Sequence, residues 1–152
     1  MALQIWLPLN GNLNNQGLAD ITATNNGATV DNSGKIGKCY SFNGVNKYIV
    51  INNFDMSELA EYSISCWVKP NRDDISYLFL VRSGGTHQIR ISSDGFTFRD
   101  TKNSTLRTVA FGEGFTDGQW THICCVYIRG EIYLYQNGIQ TAHSDTYYHA
   151  DG

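Results

Sequence analysis

Residues 120–138 read WTHICCVYIRGEIYLYQNG, and two incompatible chemistries suit them. Taken as donors, His122, Cys124 and Cys125 suggest a metal centre or a reactive thiol pair. Taken as backbone, the same residues alternate as a strand does. Ile123, Cys125 and Tyr127 fall on one face, and His122, Cys124 and Val126 on the other. Adjacent cysteines on opposite faces cannot hold one ion in regular strand geometry, and they lack the C-x-x-C spacing of structural zinc sites. Arg129-Gly130 reverses the chain, Ile132 and Leu134 alternate with Tyr133 and Tyr135, and Asn137-Gly138 supplies a favoured two-residue turn. Free cysteine packs as a small apolar side chain. The stretch is expected to be a β-hairpin whose thiols pack in a core.

The same pattern extends outward. Leu3, Ile5 and Leu7 alternate with Ala2, Gln4 and Trp6 until Pro8 and Asn10-Gly11 break the run. Residues 38–42, 48–51, 63–68, 77–82, 88–92 and 105–110 are further strand-like runs, and Asp94-Gly95 leading into Phe96-Thr-Phe98 is a strong hairpin signal. The best helical candidate is a single turn over residues 56–61 with Asp55 as its cap. Roughly ten short strands with frequent turn signals predict an all-β fold, an antiparallel two-sheet β-sandwich or jelly roll. No linker, low-complexity run or internal repeat divides residues 1–152, so a single domain is expected.

Composition narrows the function. Charged residues make up 16% of the chain, below the roughly 25% usual for soluble domains, and aromatics reach 12%. Net charge is −3 with lysine and arginine scattered, so no basic stripe exists to release counterions from nucleic acid. The N-terminal MALQIWLPLNGN lacks a basic region and is too short in apolar residues for a signal peptide or membrane helix. Synthesis in a cytoplasm without a cleaved signal is expected, with Cys39, Cys66, Cys124 and Cys125 as reduced thiols.

WLPLNGNLNNQG, GKIGKCYSFNGVNKYIVI, YSISCWVKP and WTHICCVYIRGEIYLYQNG occur in the order found in laminin G-like jelly-roll domains. Over residues 5–141 the chain resembles that group, part of the concanavalin A-like lectin and glucanase superfamily. The resemblance implies two curved antiparallel sheets packed face to face, used for glycan or protein binding. Short chains of this kind opening on an unsignalled Met resemble structural proteins of tailed bacteriophages. That implies a non-catalytic assembly or attachment module at the virion surface, contacting neighbouring virion subunits or copies of itself; the alternative is a lectin-like domain for host or environmental glycans. Members usually continue past YLYQNG with further strands, whereas ten residues follow Ala142 here. An open edge along Leu3–Leu7 is then expected, closed by a longer natural chain or by a neighbouring subunit. Leu3, Ile5, Tyr147 and Tyr148 are the expected interface residues.

Candidate chemistry is sparse. Superfamily glucanases place an acid and a nucleophile about 5–5.5 Å apart from an E-x-D-x-E pattern. The glutamates here are Glu58, Glu61, Glu113 and Glu131, none with those neighbours, so no hydrolytic activity is expected. His87, His122, His143 and His149 have no nucleophile in a strained turn nearby. The favoured metal is calcium, which wants six to eight oxygens, with Asp73, Asp74 and Asp94 as ligand candidates. Aspartates in turns also bond their own backbone. For a glycan, Tyr77 and His87 with Arg72, Asp73, Asp74 and Arg90 are expected at one rim. Trp6, Trp67 and Trp120 are expected to pack in the core or between sheets, where a large aromatic buries about 150–250 Å².

Overall fold

A computed structural model describes residues 2–56, 59–70, 76–81, 87–92, 95–100, 107–110, 116–129 and 131–144. Within these the chain is all-β, with antiparallel pairing throughout and no helix. It divides into two compact units, Met1–Asp55 and Met56–Gly152.

In the first unit, β1 (Thr22–Asn26) pairs with β4 (Tyr48–Asn52), and β2 (Thr29–Asp31) pairs with β3 (Cys39–Ser41). Asn25 locks the β1–β2 turn: its Oδ1 accepts from Ala28 N and its Nδ2 donates to Ala28 O, each at 2.8 Å. The expected strand over Leu3–Leu7 does not form as a regular strand. This segment instead lies against residues 16–19, with Gln16 N donating to Trp6 O (2.9 Å), Leu18 N to Leu3 O (3.1 Å) and Ala19 N to Gln4 O (2.8 Å). The physical reason is Asn15. Its Oδ1 accepts from Trp6 N (2.8 Å) and Gly17 N (3.0 Å), while its Nδ2 donates to Ala19 O (2.8 Å), so a side chain takes a place in the ladder. Leu9, with φ of 54°, then ends the extended run.

In the second unit, β5 (Glu61–Val68), β10 (Thr121–Ile128), β11 (Glu131–Gln136) and β12 (Ile139–Ser144) form one sheet in the order β12-β11-β10-β5. β6 (Ser76–Val81), β7 (His87–Ser92), β8 (Gly95–Asp100) and β9 (Arg107–Ala110) form a second, a meander in chain order. β10 and β11 pair as the hairpin reading expects, with Ile128 opposite Glu131, although Gly130 itself lies outside the described residues; β7 and β8 likewise pair with Ser92 opposite Gly95. The expected helical turn over residues 56–61 does not reach its end, since Glu61 opens β5; Leu59 N donates to Met56 O at 3.1 Å, and residues 57 and 58 lie outside the described residues.

The core follows from the alternation in β10. Ile123, Cys125 and Tyr127 are buried and sit opposite Cys66, Ile64 and Tyr62 of β5 and opposite Gln136, Leu134 and Ile132 of β11. Ile123, Cys125, Ile132 and Leu134 are almost wholly inaccessible, and the Tyr62 and Tyr127 rings stack at 5.0 Å between centroids. Burying each such aliphatic side chain contributes about 1.5–3 kcal/mol. One face of this sheet is therefore committed to the core, and the period-2 rule sends the intervening side chains to the other.

Candidate functional site

That other face is where chemistry-bearing side chains converge. It carries Ser63, Ser65 and Trp67 from β5, His122, Cys124 and Val126 from β10, Glu131, Tyr133 and Tyr135 from β11, and Gln140 and His143 from β12. Register decides which meet. His122 lies opposite Trp67, and their rings are 5.3 Å apart at 55°. Cys124 lies between Ser65 and Tyr135. Val126 lies opposite Tyr133, which faces His143 with rings stacked at 4.2 Å and 15°. Two aromatic platforms thus flank a central Cys124–Tyr135 rung.

Local backbone devices hold these strands. Asn137 (φ 50°) and Gly138 (φ 82°) adopt the left-handed pair a two-residue hairpin needs. Asn137 also binds back to β10: its N–H donates to His122 O at 2.9 Å, and its Oδ1 accepts from His122 N at 3.0 Å. The His122 backbone is thereby fixed on both polar atoms. At the opposite end Arg129 N donates to Ala60 O at 2.8 Å, and Arg129 Nε lies 3.2 Å from Glu61 Oε1. Within β11 the Tyr133 hydroxyl donates to Glu131 Oε2. The β11–β12 register slips between Leu134 and Tyr135; the Thr141 hydroxyl there donates to Leu134 O at 3.4 Å.

The thiols divide by face. Cys125 is buried, and Cys66 points to the same side; loss of hydration raises both thiols, Cys66 from 9.0 to about 12, with the neighbouring Cys124 adding to the effect. Cys124 is half-buried on the aromatic face, and desolvation raises it too. All four cysteines, Cys39 among them, are free thiols, and no three His, Cys, Asp or Glu side chains come together among the described residues. Cys125 accordingly packs in the core as the hairpin reading requires, whereas Cys124 does not.

The tryptophan expectation needs correction. Trp67 is 44% exposed and Trp6 52% exposed, so neither is a core residue. Strand parity explains Trp67: it alternates with Cys66 and Val68, which take the inner face. Trp120 is half-buried.

Of the rim residues expected to meet a glycan, Tyr77 and Arg90 are direct cross-strand partners in β6 and β7, while His87 sits at the other end of β7, opposite Val81 and Asp100. Arg72, Asp73, Asp74 and Asp94 lie outside the described residues, as do Tyr147 and Tyr148. Leu3 is exposed and Ile5 half-buried, with Leu3 O already accepting from Leu18 N.

Comparison with known proteins follows the same lines. A family model described as the concanavalin A-like lectin/glucanases superfamily matches residues 43–151. The chain belongs to this family. Domain 4 of AbnA, a GH43 extracellular arabinanase from Geobacillus stearothermophilus, solved in complex with arabinotriose, is similar in structure. It is 20% identical with a TM-score of 0.64, over 97% of this chain and 78% of that one. A likeness at this identity is one of fold. No curated protein sequence matches.

Proposed function

We propose that this domain is a non-catalytic carbohydrate-binding module, and that the outward face of the β5-β10-β11-β12 sheet is its ligand surface. The observation that carries it is the pair of aromatic platforms on one sheet face, Trp67–His122 and Tyr133–His143, interleaved with serine hydroxyls and an amide. Aromatic rings present flat apolar area with a polar tip, which suits the C–H face of a sugar while neighbouring hydroxyls and amides meet its own hydroxyls. Family membership and a structural neighbour solved with arabinotriose lend support. The absence of the paired glutamates and aspartate of the superfamily's hydrolases favours binding over turnover.

The test is a glycan array probed with the folded chain, with calcium and again with a chelator. Binding to a few related glycans is the expected result, and loss on chelation would direct attention to Asp73, Asp74 and Asp94. A blank array from folded protein overturns the proposal.

A second reading, an assembly module of a phage particle at the virion surface, is favoured by one observation. Leu18, Ile36 and Val45, large aliphatic side chains of the first unit, are 75%, 84% and 86% exposed. Under this reading the array is blank and sedimentation shows self-association that weakens when Ile36 or Val45 is changed to serine.

A further inference from the structure

This inference rests on the carbohydrate-binding reading and assigns the ligand's chemical class and its path. We infer that the aromatic face takes an uncharged, linear oligosaccharide laid diagonally across the sheet, from Trp67–His122 over Cys124–Tyr135 to Tyr133–His143.

The path comes from register. The first platform spans β5 and β10 at the His122 rung, the middle rung spans β10 and β11 at Cys124, and the second platform spans β11 and β12 at the Val126 rung. Each step moves two residues along the strands and one strand across. With a rise of about 3.3 Å per residue and about 4.8 Å between strands, the platforms stand about 16 Å apart. That exceeds one sugar ring and matches a short linear chain. A monosaccharide would meet one platform only.

The class comes from charge. β5, β10, β11 and β12 contain no lysine or arginine, and their acids are Glu61 and Glu131. Arg129, in the turn after β10, is already paired with Glu61 at 3.2 Å, so an acidic glycan or a nucleic acid would find no lysine or arginine on these strands to balance its own charge, and recognition of carboxylate or phosphate normally relies on such cations. Ser65 and Gln140, flanking the middle Cys124–Tyr135 rung, offer neutral donors and acceptors for hydroxyls. Among the four thiols, Cys124 alone lies on the path, which makes it a gauge of occupancy.

The experiment alkylates the full chain with iodoacetamide and counts the label at each cysteine by peptide mass spectrometry, with Cys39, in the first unit, as internal reference. Probes are arabinotriose, xylotriose and cellotriose as neutral linear chains, their monosaccharides, and trigalacturonate as the acidic counterpart. A neutral trisaccharide at about ten times its Kd is expected to slow Cys124 labelling about tenfold and leave Cys39 unchanged, by simple mass action. The monosaccharides and trigalacturonate are expected to leave Cys124 unprotected. Trp67→Ala and His143→Ala, each with an unchanged circular dichroism spectrum, are expected to abolish the protection separately, since the path needs both ends. If calorimetry shows a neutral trisaccharide binding while Cys124 labels at its free rate, the path is wrong and the binding reading stands. If trigalacturonate protects as well as the neutral chains, or only charged glycans bind on the array, the class is wrong. If no glycan binds at all, both fall together.

Discussion

Gly17 shows how much a single position carries in the first unit. A Cβ built there would lie 2.3 Å from Gln4 O and 2.9 Å from Ile5 N, both backbone atoms that cannot swing aside. The close approach is what lets Asn15 reach both sides of the segment. Gly17→Ala should therefore cost about 1–3 kcal/mol through overpacking, read as an earlier denaturation midpoint. In the second unit Ile132 is completely buried, so Ile132→Ala should cost about 2–5 kcal/mol in the same measurement. At this scale the sequence was partly legible. The alternation in β10 placed Cys125 and Cys124 on opposite faces, as parity requires, whereas the expectation that both thiols pack in a core is met by Cys125 alone. Trp67 was misjudged because size alone suggested burial, and parity with Val68 was the better guide.

Among the elements, the β11–β12 hairpin tests how far turn chemistry sets a site. Asn137 is bonded to His122 through main chain and side chain alike, so the turn and the first aromatic platform share one anchor. Asn137→Ala removes the side-chain bond and places a residue less tolerant of φ near 50° in the turn. A loss of about 1 kcal/mol is expected, with faster amide hydrogen exchange at His122 than at Cys124. Unchanged exchange at His122 would mean that the side-chain bond carries no weight. The β10–β11 and β7–β8 pairings were readable for a related reason: Arg129-Gly130 and Asp94-Gly95 are local turn signals between alternating runs. β1, β2 and β12 were not anticipated. They are short or polar, such as TATNN, TVD and IQTAHS, and their pairing comes from partners elsewhere in the chain. The opposite error, a strand over Leu3–Leu7, arose because a hydrophobic alternation cannot reveal that an asparagine side chain will occupy the ladder.

For the whole molecule the buried thiols predict a pH dependence with a definite sign. Burial holds Cys66 in its neutral form, raising it from 9.0 to about 12, and raises Cys125 in the same direction. Below pH 9 both folded and unfolded thiols are protonated, and this contribution to stability is fully present. Between pH 9 and about 12 the unfolded thiol ionises while the folded one does not, so stability falls as pH rises. Denaturant titrations across that window should show the fall, and Cys66→Ala should make it shallower. An identical slope in the variant would show that Cys66 is not held neutral by the fold. The class of the fold, all-β and antiparallel, was legible throughout the chain because strand alternation and turn residues recur at every step and each is decided within a few residues. The candidate site was not. Trp67 and His122 are far apart in sequence, and what brings them into register is hydrogen bonding between β5 and β10, strands whose adjacency no local pattern encodes. The sequence alone determined the all-β class, the longer strands with strong alternation such as β5, β10 and β11, and the parity that assigns their side chains to one face or the other. Only the tertiary structure decided which faces join, because cross-strand register is set by the collective burial of Ile123, Cys125, Ile132 and Leu134 on the opposite side of the sheet.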